Sequence, residues 1–181
     1  MARDLEVVIY PFESLRQKAL PVESFDQELK DLAESMSQTM YLYRGIGLAA
    51  NQVNVLKRLF VLDVNWRDSD EDEKKVAKAP EIYVNPEIIF REGEIEYEEG
   101  CLSIPKMYAL VKRSEIIQVK YQDLKGVEHK ATMSELRAIA FQHELDHLNG
   151  IMFFDHITPF KRRTLLEKFN KLQLELSKEE E

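Results

Sequence analysis

The feature that most constrains this chain is a pair of histidines on the apolar face of a helix predicted over residues 132–148. The apolar residues of that face recur at helical spacing, and they are Leu136, Ile139 and Ala140. His143 and His147 continue the same face, so the fold has to bury two imidazole rings. Burying an unpaired imidazole is costly, so a metal ion or nearby carbonyl groups must satisfy both rings.

These histidines belong to an H-E-x-x-H motif, which favours a hydrolytic metal site over a chance match on an amphipathic helix. Residues four apart share one face of a helix, so His143 and His147 can reach the same ion. Glu144 then lies beside a water molecule that the metal activates. Thr132 and Glu135 have the spacing of a capping box and predict that the helix starts at Thr132.

A catalytic site of this kind needs a third protein ligand, and the residue pattern alone leaves its identity open. The candidates are Cys101, His129, His156 and Glu167. Glu167 would complete a small zinc endopeptidase, whereas Cys101 would supply a thiolate from a glycine-containing turn. A non-catalytic module with a structural metal is a further alternative, and it would need a fourth protein ligand.

The segment GIGLAANQ at residues 45–52 predicts a loop after the first helix. Its small residues allow the backbone to come close to a ligand. The amide of Gln52 would suit an oxyanion, although an exposed glutamine in a tight connection explains the same residues. Taken alone, this segment does not decide between the two interpretations.

Three segments together resemble the signature motifs of the peptide deformylase family. They are GIGLAANQ at 45–52, EGCLSIP at 99–105 and QHELDH at 142–147, in this order and at these separations. The resemblance spans nearly the whole chain, and the C-terminal helix resembles the extension of the common bacterial branch. Such enzymes remove the formyl group from the N-terminal formyl-methionine of newly made bacterial proteins.

The resemblance implies a role for each matching residue. The metal ligands would be Cys101, His143 and His147. Glu144 would be the general base and acid, so that a metal-activated water attacks the formyl carbon. Gln52 and the backbone N–H of Leu102 would form the oxyanion hole. The bound methionine and its peptide backbone would be surrounded by Ile46, Gly47, Glu99, Gly100, Ile139 and Ala140.

The resemblance also implies a cofactor and partners. The cofactor would be one divalent ion, Fe(II) in cells, with zinc, nickel or cobalt in purified protein. The partners would be N-formyl-methionyl peptides and nascent chains. Lys106 stands where the family often has glycine, which leaves the preference beyond methionine open. The basic run at 161–163 is compatible with a transient ribosome contact, although a solvated helix start is favoured.

Charge and composition exclude several other classes of protein. A net charge of -8 argues against broad binding to DNA or RNA, because phosphates require a basic surface. No apolar run has the length of a membrane span, and the N-terminus lacks the plan of a signal peptide. The single cysteine cannot form an internal disulfide. We therefore expect a cytoplasmic protein.

The remaining pattern predicts an α+β fold, with mixed and antiparallel β-sheets packed around the central metal-binding helix. Its 181 residues suit a single domain. Strands are expected at 5–10, 58–64, 81–85, 88–90, 108–112 and 116–121. Further helices are expected at 25–43 and about 158–178, the latter docking through Leu165, Phe169, Leu172 and Leu176. The acidic loop at 66–80 starts like an EF-hand at Asp68, but the later ligand positions fail, so a solvated loop is predicted.

Overall fold

The computed structural model describes residues 4–66 and 77–179. The helices of this part are α1 (Gln27–Leu42), α2 (Glu135–Leu148) and α3 (Pro159–Glu179). Short 3₁₀ helices cover Glu13–Arg16, Ala50–Val53 and Phe153–His156. The strands are β1 (Gly47–Ala49), β2 (Leu59–Leu62), β3 (Glu81–Glu92), β4 (Ile95–Gly100), β5 (Tyr108–Arg113), β6 (Ile116–Gln122) and β7 (Glu128–Ser134).

The strands form two antiparallel sheets, which confirms the α+β class. One sheet has five strands in the order β1-β2-β3-β6-β7, and the other is the β4-β5 hairpin. Among the described residues, parallel pairing occurs at an isolated bridge between Leu20 and Lys57. The strands β1 and β4 each have one unpaired edge, and both contribute residues to the cavity described below. No helix in the described ranges is long and apolar enough to span a membrane.

Helix α2 lies at the centre of the molecule rather than on its surface. Every residue from 138 to 145 is buried, so burial extends around the helix beyond the predicted apolar face of Leu136, Ile139 and Ala140. On one side, Phe141 packs edge-on against Phe60 and Tyr83 of the large sheet, with ring centroids 5.0 and 5.2 Å away. On the other side, the ring of His143 lies parallel to that of Phe153. Because neighbours cover the helix on both sides, its polar residues are buried as well.

The start of α2 differs from the predicted capping box. Thr132 belongs to β7 and pairs with Gln118 of β6, so it cannot cap a helix. The strand runs directly into the helix, and Glu135 takes a left-handed φ of 53° at the junction. The flanking Ser134 makes no side-chain capping hydrogen bond. Pairing with β6 therefore overrides the local helix signal.

Several strand predictions also need correction. Residues 5–10 form no strand but hydrogen-bond to the site segments, since Val8 N donates to Gln52 O and Tyr10 N to Ser103 O, each at 2.8 Å. The two runs predicted at 81–85 and 88–90 are one bulged strand, β3. The segment expected as a loop at 45–52 contains β1 and a 3₁₀ helix. The hairpin strand β4 was not predicted.

The first and last helices follow the prediction closely. Asp26 caps α1 by accepting a hydrogen bond from Leu29 N at 3.0 Å. Thr158 Oγ1 accepts from Lys161 N at 3.4 Å at the start of α3. The side chains of α3 that face the body are Leu165, Phe169 and, partly, Leu172. Leu176 is exposed, so the predicted stripe ends one turn early. The EF-hand-like positions 68–72 lie outside the described residues.

Candidate metal centre

Three side chains that could bind a metal ion meet beside α2. The ligand atoms of Cys101, His143 and His147 all lie within 4.8 Å of one another. Cys101 Sγ is 3.3 Å from His147 Nε2, which is 3.2 Å from His143 Nε2. Helix α2 supplies both histidines from successive turns, and the turn that links β4 to β5 supplies the thiol. One thiolate and two imidazoles are a ligand set that suits zinc, iron, nickel or cobalt.

The pKa values of the two histidines in this cluster shift in opposite directions. Burial alone lowers the pKa of His143, but hydrogen bonds with Cys101 and Glu99 outweigh it and raise the pKa well above its ordinary value. Burial lowers the pKa of His147 well below its ordinary value, which keeps a lone pair available on that ring. A site that holds a proton on one ring and leaves the other neutral also suits a divalent cation, which takes the place of the proton.

Glu144 lies beside the cluster with one carboxylate oxygen uncommitted. Its side chain is buried, and Oε2 has no hydrogen-bond partner among the described residues. Burial raises the pKa of Glu144 to about 7, so the carboxyl can gain or lose a proton near neutral pH. Glycine at position 47 leaves room for the carboxyl group of Glu144. A Cβ atom on residue 47 would lie 2.8 Å from the Glu144 carboxyl carbon.

The oxyanion-hole candidates face the same point. Gln52 is buried, and its Nε2 lies 3.5 Å from Cys101 Sγ and 3.2 Å from Ser103 Oγ. Its Oε1 accepts a hydrogen bond from Ala49 N at 2.9 Å, so the amide nitrogen has to face the cluster. The backbone N–H of Leu102 donates to no acceptor in the described part of the chain. Two donors are therefore available next to the thiol, the Gln52 amide nitrogen at 3.5 Å from Cys101 Sγ and the N–H of the residue that follows Cys101.

A buried ion-pair network lies directly behind the metal cluster. Glu99 Oε2 is 2.8 Å from His143 Nδ1, the ring nitrogen that faces away from the cluster. Arg113 binds both oxygens of Glu99, at 2.6 and 2.9 Å, and reaches Asp146 Oδ2 at 2.5 Å. Burial alone would raise the pKa of Glu99, but the hydrogen bonds from Arg113 and His143 outweigh it and lower the pKa to about 2. Glu99 thus stays ionised and fixes the orientation of His143.

This network engages the carboxylate of Glu99 and adds a residue that sequence reasoning missed. The Glu99 carboxylate is held by Arg113 and His143, but Glu99 also lines the cavity described below, so its place beside the bound peptide stays a prediction. Arg113 had no signal in the sequence, because its partners lie 14 and 33 positions away. Its role becomes visible only once the β4-β5 hairpin is known.

A cavity of about 510 Å³ opens beside the cluster. One wall comes from α2 and contains Leu136, Ile139 and Ala140, and Ile46 and Gly47 contribute beside β1. The opposite wall comes from the hairpin and includes Gly100. Apart from His147, the predicted site residues therefore line one cavity, with Cys101, His143 and Glu144 among them.

The other candidate ligands lie elsewhere. His129 pairs with Asp123 at 2.9 Å in the β6-β7 region, and His156 pairs with Asp146 at 2.7 Å. Glu167 is exposed on α3. In the described residues, the group that could hold a metal is the one formed by Cys101, His143 and His147.

Comparison with known proteins points to one family. The family model described as polypeptide deformylase matches residues 4–163. A peptide deformylase from Novosphingobium aromaticivorans is 41% identical, over 93% of this chain and 96% of that protein. The crystal structure of a peptide deformylase from Legionella pneumophila is similar at a TM-score of 0.82 and 42% identity, covering 95% of this chain and 98% of that one. The enzyme from Thermus thermophilus has a TM-score of 0.84 at 39% identity, covering 98% of this chain and 99% of that one.

Proposed function

Because this chain belongs to the peptide deformylase family and is therefore a hydrolase, we propose that it removes the formyl group from the N-terminal formyl-methionine of newly made proteins. The observation that carries the proposal is the convergence of Cys101, His143 and His147 beside a buried carboxyl, next to a cavity with apolar residues in its wall. Metal dependence is a property of the family. We propose that residues 1–181 act as one catalytic domain, in the cytoplasm where nascent chains emerge.

Cys101, His143 and His147 would hold the metal in this proposal. When bound there, a divalent ion supplies a nucleophile at neutral pH by lowering the pKa of water. The thiolate and imidazole donors accept ferrous iron as well as zinc, nickel or cobalt. We propose Fe(II) as the ion used in cells, in line with the family resemblance. Glu99 and Arg113 support the site by holding His143 in one orientation.

Glu144 is the proposed carrier of the proton. Its free Oε2 accepts a proton from the attacking water while a bond forms between oxygen and the formyl carbon. The carbonyl oxygen gains negative charge at this step, and the Gln52 amide and the Leu102 N–H stabilise it. Glu144 then gives the proton to the amine nitrogen as the carbon–nitrogen bond breaks. The products are formate and a peptide with a free amino terminus.

The cavity suits an extended peptide that begins with methionine. The strands β1 and β4 each have an unpaired edge and each contribute residues to the cavity, so a peptide backbone that enters it could hydrogen-bond to either strand. Ile139 and Ala140 offer an apolar surface for the methionine side chain. A formyl group carries only hydrogen beyond its carbonyl, so a close fit at this end would exclude an acetyl group by size.

The alternative of a zinc endopeptidase loses its support in the structure. That enzyme would take Glu167 as third ligand, but Glu167 is exposed on α3 and lies outside the metal cluster. A transient ribosome contact through residues 161–163 stays a proposal, and a solvated helix start is favoured over it. Of those side chains, Arg162 is partly engaged by Asp155 at 3.3 Å.

The products formed from formyl-Met-Ala-Ser test the proposed function. Anaerobically purified protein should release one formate per peptide and leave Met-Ala-Ser intact, with no turnover of acetyl-Met-Ala-Ser. Cleavage between methionine and alanine would identify an endopeptidase and contradict the proposal. The ligand set is tested separately by metal content: Cys101→Ser should lose metal, whereas the matched surface variant Glu167→Gln should retain it.

A further inference from the structure

The turn that carries Cys101 and Leu102 also places a lysine at the rim of the cavity. Lys106 follows Cys101 by five positions and takes a left-handed φ of 64°, a conformation that glycine adopts most readily. Its side chain is exposed, yet it lines the same cavity as the metal cluster. Lys106 therefore lies at the solvent end, where a peptide bound through its first residue continues outward.

Within the described part of the chain, the charge of Lys106 is not neutralised by an ion pair. Lys106 forms no ion pair with any residue in the described ranges, whereas Lys112 on the following strand lies 2.7 Å from Glu94. Lys106 is the only lysine or arginine among the described residues that line the cavity. An unpaired ammonium on a flexible stem can reach a carboxylate that enters the cavity.

The acidic residues that line the same cavity differ in how far they can offset the positive charge of Lys106. Glu99 is held by Arg113 and His143, and Glu144 is buried beside the cluster. Glu98 on β4 is exposed but makes no ion pair with Lys106. Because the whole chain carries a net charge of -8, an acidic peptide is repelled at longer range, and Lys106 offers the local attraction.

We propose that Lys106 makes this enzyme favour formylated peptides that carry an acidic side chain one or two residues after methionine. The proposal rests on the proposed deformylase function and adds a substrate preference to it. Exposed ion pairs contribute little, so the preference should be about twofold to fivefold in kcat/KM. It should come from KM, since the contact lies far from the reacting atoms and is equal in the ground and transition states.

The test compares pairs of peptides that differ in charge and not in shape. Formyl-Met-Asp-Ala is paired with formyl-Met-Asn-Ala, and formyl-Met-Ala-Asp with formyl-Met-Ala-Asn. The ratio of kcat/KM within each pair is measured for the wild type and for Lys106→Arg, Lys106→Gln and Lys106→Glu. Because each ratio is taken within one protein preparation, differences in folding or metal content cancel.

The wild type and Lys106→Arg should favour the acidic peptide of at least one pair. Lys106→Gln should bring that ratio close to unity, and Lys106→Glu should reverse it. High salt should reduce the wild-type ratio, because exposed charges are screened. Equal ratios in all four proteins would overturn the role of Lys106. Failure of the wild type to release formate from the neutral peptides would overturn the proposed function itself, so the two failures are distinguishable.

Discussion

Two arginine-centred clusters flank the end of α2, and they differ mainly in burial. In the inner cluster, Arg113 is 5% exposed and binds both Glu99 and Asp146. In the outer cluster, the Arg16 side chain is 38% exposed and binds Asp155 at 2.5 Å. Each cluster joins a segment near the metal helix to a distant part of the chain. Water can replace the partner of a charge in the outer cluster but not in the inner one.

The inner cluster supports both the fold and the metal site, whereas the outer cluster supports only the fold. The inner cluster continues through Glu99 to His143, so a change there should affect both stability and metal binding. The outer cluster links Arg16 to the 3₁₀ helix that follows α2, and its guanidinium also lies over the rings of Tyr10 and Phe154. It touches none of the three candidate ligands. Matched substitutions in the two clusters should therefore behave differently.

The largest expected contrast is in stability. Arg113→Met leaves two carboxylates buried without their partner, which should lower the free energy of unfolding by about 3–5 kcal/mol. Arg16→Met keeps most of the packing over the two rings and should cost about 1 kcal/mol or less. Urea unfolding at neutral pH measures both. Equal losses for the two variants would mean that burial does not separate the clusters.

Metal affinity should show the second contrast. Glu99→Gln removes the charge that orients His143, and loss of such a partner typically weakens metal binding by about 10- to 100-fold. Asp155→Asn is the matched change in the outer cluster and should leave metal affinity unaltered. Competition with a chelator of known affinity provides the measurement. A similar weakening in both variants would show that Glu99 has no special connection to the metal.

The smallest expected effect is a pH dependence in the outer cluster. Burial alone would raise the pKa of Asp155, but hydrogen bonds from Arg16 and Met152 N outweigh it and lower the pKa below its ordinary value. A carboxyl with a lowered folded-state pKa stabilises the fold above its unfolded pKa of about 3.9 and loses this contribution as the pH falls further.

The wild type should therefore exceed Asp155→Asn in stability at neutral pH, and the difference should shrink as the medium is made acidic. Urea unfolding at a series of pH values would follow it. A difference that grows toward low pH has the wrong sign and would contradict the assignment.

Local sequence predicted the histidine pair well, because helix phase alone brings His143 and His147 to one face. The third ligand could not be assigned from spacing alone, which left the choice between Cys101 and Glu167 open until the linked family motifs were considered. Helix α1 was predicted from the helical spacing of its apolar residues, and the start of α3 from Thr158 and Pro159. Burial on all sides of the interior of α2 could not be predicted, because it depends on partners distant in sequence.

The missed features share a dependence on pairing between distant segments. Thr132 resembles a helix cap, but its hydrogen bonds to β6 make it a strand residue. The strand β4 alternates apolar and polar residues only over Ile95–Glu98, and its buried residue is the charged Glu99, so its sequence does not mark a half-buried strand. Arg113 gains its role only when β5 lies beside β4. Tertiary contacts, rather than local preference, decide each of these cases.

The most direct test of the central claim is formate release by Glu144→Gln. The variant keeps the shape of the side chain and the three candidate ligands, so it should bind metal as the wild type does. Without a carboxylate to transfer the proton, kcat/KM for formyl-Met-Ala-Ser should fall by about 10²- to 10⁴-fold. Both proteins are compared at equal, measured metal content. A metal-loaded variant that keeps more than half of the wild-type activity would contradict the account.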